Sequence, residues 1–195
     1  QKDYFNKKKI IRGEWGMNVR KLIDRLRGEP QLEKLKAEGL EIGDNFAYGH
    51  YCFFDPSHCF LISIGDNVTL STRVHILAHD ASTKRHIGYA KIGRVIIKNR
   101  VFIGANTTIL PGVTIGENSI VGAGSVVSHD VEDNAVYAGV PARKICSLEE
   151  YLKKVNSTEE NLWFEEDFTM RGGITKDKKQ EMKERLEGGK IGLVR

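Results

Sequence analysis

The side chains best suited to move a proton at neutral pH are six histidines: His50, His58, His75, His79, His86 and His129. Imidazole has an unperturbed pKa of ~6.5, so it can take a proton as a hydroxyl or amine attacks and give it back afterwards. Two carboxylates stand close to them in the chain: Asp55, between His50 and His58, and Asp80, directly after His79. A lone loop carboxylate such as Asp55 can accept hydrogen bonds from a hydroxylated ligand, bind an amine, or simply remain hydrated. Adjacent residues of a strand point to opposite faces, which argues against Asp80 orienting the His79 ring. Cys52, Cys59 and Cys146 are three in number and cannot all pair within one chain. Reduced thiols and a cytoplasmic location are the simplest expectation.

The elements that must position these groups are written in sixes. From Ile97 to Glu132 the chain reads Ile97-Lys-Asn-Arg-Val-Phe, Ile103-Gly-Ala-Asn-Thr-Thr, Ile109-Leu-Pro-Gly-Val-Thr, Ile115-Gly-Glu-Asn-Ser-Ile, Val121-Gly-Ala-Gly-Ser-Val and Val127-Ser-His-Asp-Val-Glu. An aliphatic residue opens every block. A small or β-branched residue (Val101, Thr107, Val113, Ser119, Ser125, Val131) holds every fifth place. A period of six is neither the helical 3.6 nor a two-residue alternation; it is a solenoid period. A short extended stretch and a tight corner, repeated three times, make one triangular coil. The opening aliphatic residues then stack inside the prism, the fifth residues face inward with less room, and Gly or Asn near the corners accommodates positive φ.

Earlier blocks extend the coil to about Leu40: Ile42-Gly-Asp-Asn-Phe-Ala, Ile64-Gly-Asp-Asn-Val-Thr, Leu70-Ser-Thr-Arg-Val-His and Ile76-Leu-Ala-His-Asp-Ala. The steps from Ile42 to Ile64 and from Ile64 to Ile97 are not multiples of six. Two insertions are therefore expected, near 48–61 and near 81–95. Insertions in solenoids become loops on one face, often the binding face. The first holds His50, Asp55 and His58; the second begins two residues after His79 and contains His86. His75, at the sixth place of its block, reads as structural.

This array resembles the hexapeptide-repeat acetyltransferases of the galactoside, maltose, polysaccharide and streptogramin type. Ile64 to Ile145 matches best, with Leu110-Pro-Gly-Val-Thr-Ile-Gly and Ala138-Gly-Val-Pro-Ala-Arg-Lys-Ile especially typical. The resemblance implies a mainly β fold, a left-handed parallel β-helix with N- and C-terminal capping helices. It implies an acetyl-CoA-dependent enzyme that O-acetylates a sugar or polysaccharide precursor, with no metal. His79, just after an early strand and just before a loop, matches the family's general base. Direct attack on the thioester within a ternary complex needs an oxyanion donor, and the Ala105 amide stands at the family position. Ala105, Gly122, Ala123, Ser128, His129 and Arg143 would line a coenzyme A groove between subunits of a homotrimer, with Arg143 suited to a phosphate. Related enzymes often carry Lys where this chain has His129. Asp55, His50 and His86 are the candidate acceptor contacts.

Three regions follow: an N-terminal helical cap over 1–39, the β-helix over 40–145 and a C-terminal helical tail over 146–195. Val19, Leu22, Ile23 and Leu26 share one helical face over Met17 to Arg27, and Pro30 opens a short helix closed by Gly39. Ser147-Leu-Glu-Glu matches a capping box and predicts a helix to about Val155. Lys176 to Glu187 reads as a charged helix and the rest as frayed. The net charge of +4 comes from residues 1–40, with 11 basic and 6 acidic side chains. No aromatic residue stands within the run Lys7-Lys8-Lys9 at its centre, so a solvated terminus is expected and no nucleic-acid contact. No apolar run approaches the ~20 residues of a membrane span, and no secretory leader pattern opens the chain.

A γ-class carbonic anhydrase needs three histidines converging on zinc. Those proteins typically space two of them His-x4-His, whereas this chain offers His75-x3-His79 and His79-x6-His86. A non-catalytic β-helix would not require the loop after His79. N-acylation of a nucleotide-linked amino sugar, transfer to a streptogramin and transfer of another acyl group stay open. The inward-facing assignment has a direct test. Ile109→Asp or Val121→Asp places an unpaired charge inside the prism and is expected to abolish soluble folded protein; a normally folded mutant on size-exclusion chromatography and circular dichroism would contradict it.

Overall fold

The computed structural model describes residues 30–157 and 162–195 of the 195-residue chain. The expected helix over Met17 to Arg27 and the basic N-terminal segment lie outside the described residues. Short strands follow one another around three faces in strict rotation. The first face carries β1 (Glu41–Ile42), β4 (Ile62–Ile64), β9 (Val95–Ile97) and β12 (Thr114–Ile115). The second carries β2 (Ala47–Tyr48), β5 (Thr69–Leu70), β10 (Phe102–Ile103) and β13 (Ile120–Val121), and the third β3 (Phe53–Phe54), β6 (His75–Ile76), β11 (Thr108–Ile109) and β14 (Val126–Val127). All neighbours on these faces pair in parallel. The fold is a parallel β-helix. A fifth coil begins with the bridge Ile115 to Val131 and continues in β15 (Ala135–Gly139), which β16 (Ala142–Ser147) closes antiparallel.

The hexad rule sets the interior. Ile76, Ile103, Ile109, Ile115 and Val121, all opening residues, are fully buried, as are the fifth-place Val68, Val74, Thr107, Ser119 and Ser125. Each aliphatic side chain moved from water to this core contributes roughly 1.5–3 kcal/mol. The buried hydroxyls are partnered: Ser119 Oγ donates to the Gly116 carbonyl at 2.7 Å and Ser125 Oγ to that of Gly122 at 2.6 Å. The fourth place has positive φ in eight of the ten blocks, held by Asn45, Asn67, Asn106, Asn118, Gly112 and Gly124, and also by Arg73 and Arg100; His79 and Asp130 are the exceptions.

One boundary differs from the sequence expectation. Tyr48 pairs with Leu70 and Phe54 with Ile76, so the six-residue step continues through the stretch expected to be an insertion. Aromatic residues at opening places hide the period there. The first insertion narrows to residues 55–61, a turn ending in a 3-10 helix at Cys59–Leu61. The second loop lies between β6 and β9, over residues 77–94. It leaves along β7 (His79–Asp80), passes through a helical turn at Lys84–Ile87 and returns along β8 (Lys91–Ile92), antiparallel to β7.

The short helix α1 (Leu32–Ala37) places Leu35 in the core, and the Cys59 thiol donates to the Leu35 carbonyl at 3.6 Å. Residues 149–195 form a second compact unit. It contains most of the helix Leu148–Ser157, the helix Lys176–Arg185, and the parallel pair Leu162–Phe164 with Gly192–Val194. The C-terminal end is therefore a paired strand rather than frayed chain. Phe164, 3% exposed, lies under the Arg185 guanidinium, 4.4 Å from the ring centroid. None of the described helices is long and apolar enough to cross a membrane.

Coil-to-coil contact is closest at corner glycines. A Cβ on Gly104 would stand 2.4 Å from the Ala123 nitrogen. Gly104→Ala is expected to destabilise the fold by about 1–3 kcal/mol through overpacking. Urea denaturation reads this; an unchanged midpoint would mean that the coils can separate freely.

Candidate active site

Residues that leave the third face turn one shared corner. There the backbone of Asp55, which follows β3, donates to the Ile76 carbonyl at 2.9 Å, and Leu77 donates to Ile109 at 3.0 Å. Asp55 and the segment 77–79 therefore sit on successive coils, one above the other. The Asp55 carboxylate is fixed by backbone donors: Oδ1 accepts the Ser57 N–H at 3.0 Å, and Oδ2 accepts those of Ala78 at 3.1 Å and His79 at 2.9 Å. The same Oδ2 lies in hydrogen-bond contact with His79 Nδ1. An ionised carboxylate only accepts, so the ring proton belongs on Nδ1, and Nε2 keeps its lone pair.

The environment makes the two partners unequal. The Asp55 side chain is 1% exposed, that of His79 35%. Burial by itself would raise the Asp55 pKa, but the hydrogen bonds from His79, Ser57 and Ala78, with the attraction of His79, hold it below the ordinary value of 3.8. The folded value lies below the unfolded one. The stability that these bonds contribute is thus present at neutral pH and is lost as acid carries the pH down through the folded value.

Asp55 was expected on the acceptor side; the structure corrects that placement. Its carboxylate is buried and committed to four donors, behind the His79 ring rather than open to a ligand. Asp80 is engaged elsewhere, as the alternation of strand residues predicts. Its carboxylate meets Lys91 Nζ at 2.6 Å, and Lys91 together with Ser82 lowers its pKa to about 2. That ion pair closes the base of the 81–94 loop. His86 is exposed on the helical turn of the loop, and His50 is exposed at the second-face corner, where its carbonyl accepts the Arg73 N–H at 2.9 Å. His75 packs against Phe53, ring centroids 5.8 Å apart, in line with a structural role.

The remaining candidates divide between two corners. Ala105, Gly122 and Ala123 follow second-face strands and stack: the Ala105 carbonyl accepts the Gly124 N–H at 2.7 Å, and a Cβ on Gly122 would meet that of Ala138 at 2.9 Å. Ser128 and His129 follow β14 on the corner that carries Asp55 and His79, with Ser128 Oγ 2.9 Å from His129 Nδ1. Arg143 is exposed on β16, with Nη1 donating to the Ala142 carbonyl at 3.0 Å.

Comparison with known proteins bears on this arrangement. The family model described as bacterial transferase hexapeptide (six repeats) matches residues 94–129. The protein CapG of Staphylococcus aureus is 38% identical over 141 residues, covering 69% of this chain and 80% of CapG. The chain belongs to the hexapeptide-repeat acetyltransferase family. A galactoside O-acetyltransferase of Escherichia coli is 34% identical over 146 residues, 71% of this chain and 65% of that enzyme. The chain spans 55% to 65% of the length of several relatives that it matches. A solved galactoside acetyltransferase in complex with coenzyme A superposes with a TM-score of 0.51 at 28% identity, covering 70% of this chain and 82% of that one.

Against the family pattern, sequence reasoning missed the Asp55–His79 pair and the neighbour of the pair, His58. The His58 ring packs against His79 with centroids 5.0 Å apart. The signal lay in register: with Tyr48 and Phe54 read as opening residues, Asp55 falls one place after a third-face strand, directly above Leu77. Asp55→Asn should cost about 1.5–3 kcal/mol, as a hydrogen-bonded buried charge is lost, and should release the His79 ring from its fixed tautomer. Chemical denaturation at pH 7 and 15N spectra of the His79 imidazole read the two effects. No change in either would mean that the pair contributes nothing.

Proposed function

We propose that the protein transfers an acetyl group from acetyl-CoA to a hydroxyl of a sugar or polysaccharide precursor, with His79 as general base. The observation that carries this reading is the His79 ring, partly exposed at a coil corner, with Asp55 on Nδ1 and its Nε2 lone pair left to take a proton. Family membership and the likeness to a coenzyme A-bound galactoside acetyltransferase support the donor and the acceptor class.

The reaction follows from these groups. Nε2 takes the proton of the acceptor hydroxyl as its oxygen attacks the thioester carbonyl carbon. The developing imidazolium is stabilised by the Asp55 carboxylate. The Ala105 N–H is the proposed donor to the oxyanion. Collapse of the tetrahedral intermediate breaks the C–S bond, and the departing thiolate of coenzyme A takes the proton from Nε2. His79 is thereby returned to its starting state, and no covalent enzyme intermediate forms.

The two-corner distribution fits a shared site. In one prism the Ala105–Gly122–Ala123 corner and the His79 corner are different edges. Between two copies, one edge of each can face the other, which favours the proposed homotrimer with coenzyme A lying in the groove. Ser128, His129 and Arg143 would complete that groove, with Arg143 on a phosphate. His50 and His86 are proposed acceptor contacts because both are exposed and the 81–94 loop springs from His79. Left-handed winding, end-capping by the terminal helices and a cytoplasmic location belong to the same reading.

His79→Ala is expected to lower turnover by ~10²–10⁴-fold while acetyl-CoA binding is kept. Thiol release from acetyl-CoA against a panel of sugars and nucleotide sugars measures the first, and calorimetry the second. Turnover within tenfold of wild type would remove His79 as the base.

A further inference from the structure

We propose that Asp55, His58 and His79 also form a binding site for a divalent transition metal, zinc(II) foremost, and that the bound ion switches off His79 as a base. The switch rests on the transferase reading above; the site itself does not.

One ligating atom from each of the three residues lies within 4.8 Å of the other two. Asp55 and His58 stand on the turn 55–61, and His79 enters from the next coil. The backbone N–H groups of Ser57, Ala78 and His79 hold the carboxylate in place, as donors around a metal-bound carboxylate commonly do. His58 supplies an independent sign. Its Nδ1 is buried and has no hydrogen-bond partner among the described residues. Burying a nitrogen without a partner is unfavourable, and a metal ion would use its lone pair.

The donor set selects the ion. Two imidazole nitrogens and one carboxylate oxygen suit zinc, cobalt or nickel, whereas calcium and magnesium prefer oxygen alone. Ligands at the usual zinc distances stand ~3.3 Å apart around a tetrahedron, so a metal on Nδ1 must part the hydrogen-bonded Asp55 Oδ2 and His79 Nδ1 and the third ligand must adjust on binding. His58 is the member placed to move, since Pro56 and Ser57 beside it are exposed. Three protein ligands leave the fourth position to water. The set is not the three-histidine arrangement weighed from the sequence: it lies within one chain, includes Asp55 and omits His75 and His86.

Loss of the base follows for either ring nitrogen. A metal on His79 Nδ1 moves the ring proton to Nε2, which can then accept none; the neutral ring loses no proton overall. A metal on Nε2 occupies the lone pair itself.

The test uses the whole protein, freed of metal by chelator dialysis. Zinc is titrated by calorimetry and cobalt by its visible absorption. One equivalent per chain is expected. Loss of an outer partner alone weakens metal sites about 10–100-fold, so His58→Gln, which removes a ligand, should weaken binding at least ~100-fold. His58→Cys, which restores one, should bind. Zinc should inhibit acetyl transfer in proportion to occupancy, and chelator should reverse it. The absence of saturable binding to the wild-type protein, or binding unchanged in a folded His58→Gln protein, overturns the site. Stoichiometric binding without inhibition overturns the switch. Metal-free protein that transfers to no acceptor overturns the transferase reading, and the titrations alone then decide the site.

Discussion

Parallel pairing of each coil with the next at a fixed step is the constraint on which the rest of the structure depends. Once a strand pairs in register, its opening residue must stack on the opening residue one coil away, and both must fill the same narrow prism. That requirement favours aliphatic residues at the first place and small or β-branched ones at the fifth, sets positive φ at the fourth in most blocks, and leaves glycine where the coils come closest. Gly104 and Gly122 show the limit: their neighbours stand where a Cβ would be.

The candidate site exists because the constraint is relaxed in two places. Residues 55–61 and 77–94 leave the coil from one corner, on successive turns. The regular ladder below them fixes the heights of Asp55 and His79 relative to one another, and backbone N–H groups at the corner hold the carboxylate. A rigid scaffold thus holds a loop histidine by its inner nitrogen while the ring as a whole stays partly exposed. The same corner, carried down the prism, presents Ser128 and His129. A different corner presents Ala105, Gly122 and Ala123, and this division is why a site shared between copies is the natural reading.

The proposed metal switch is a consequence of the same geometry. A carboxylate that positions an imidazole for proton transfer is also half of a metal site, and a second imidazole beside it supplies a third ligand. His58 is the residue that distinguishes the two uses, since proton transfer does not require it.

The hexads from Ile97 to Glu132 determined the coil, its inward residues and its corner chemistry, because burial in a solenoid is a local rule repeated at a fixed spacing. They also located both loops approximately and set His79 at the edge of one. The sequence could not place Asp55. Tyr48 and Phe54 occupy opening places with aromatic rings, so the period was obscured and the first insertion read too long; only pairing with Leu70 and Ile76 restored the register. The carboxylate lies 24 residues from His79 along the chain and meets it only because two coils stack. His58 was equally silent, since nothing in its neighbours along the chain indicates an unpaired nitrogen against another ring. Periodicity reports what each residue does within its own turn. The tertiary structure decided what stands one turn above it, because that depends on the exact count of residues between two strands, and the count changes wherever a loop is inserted.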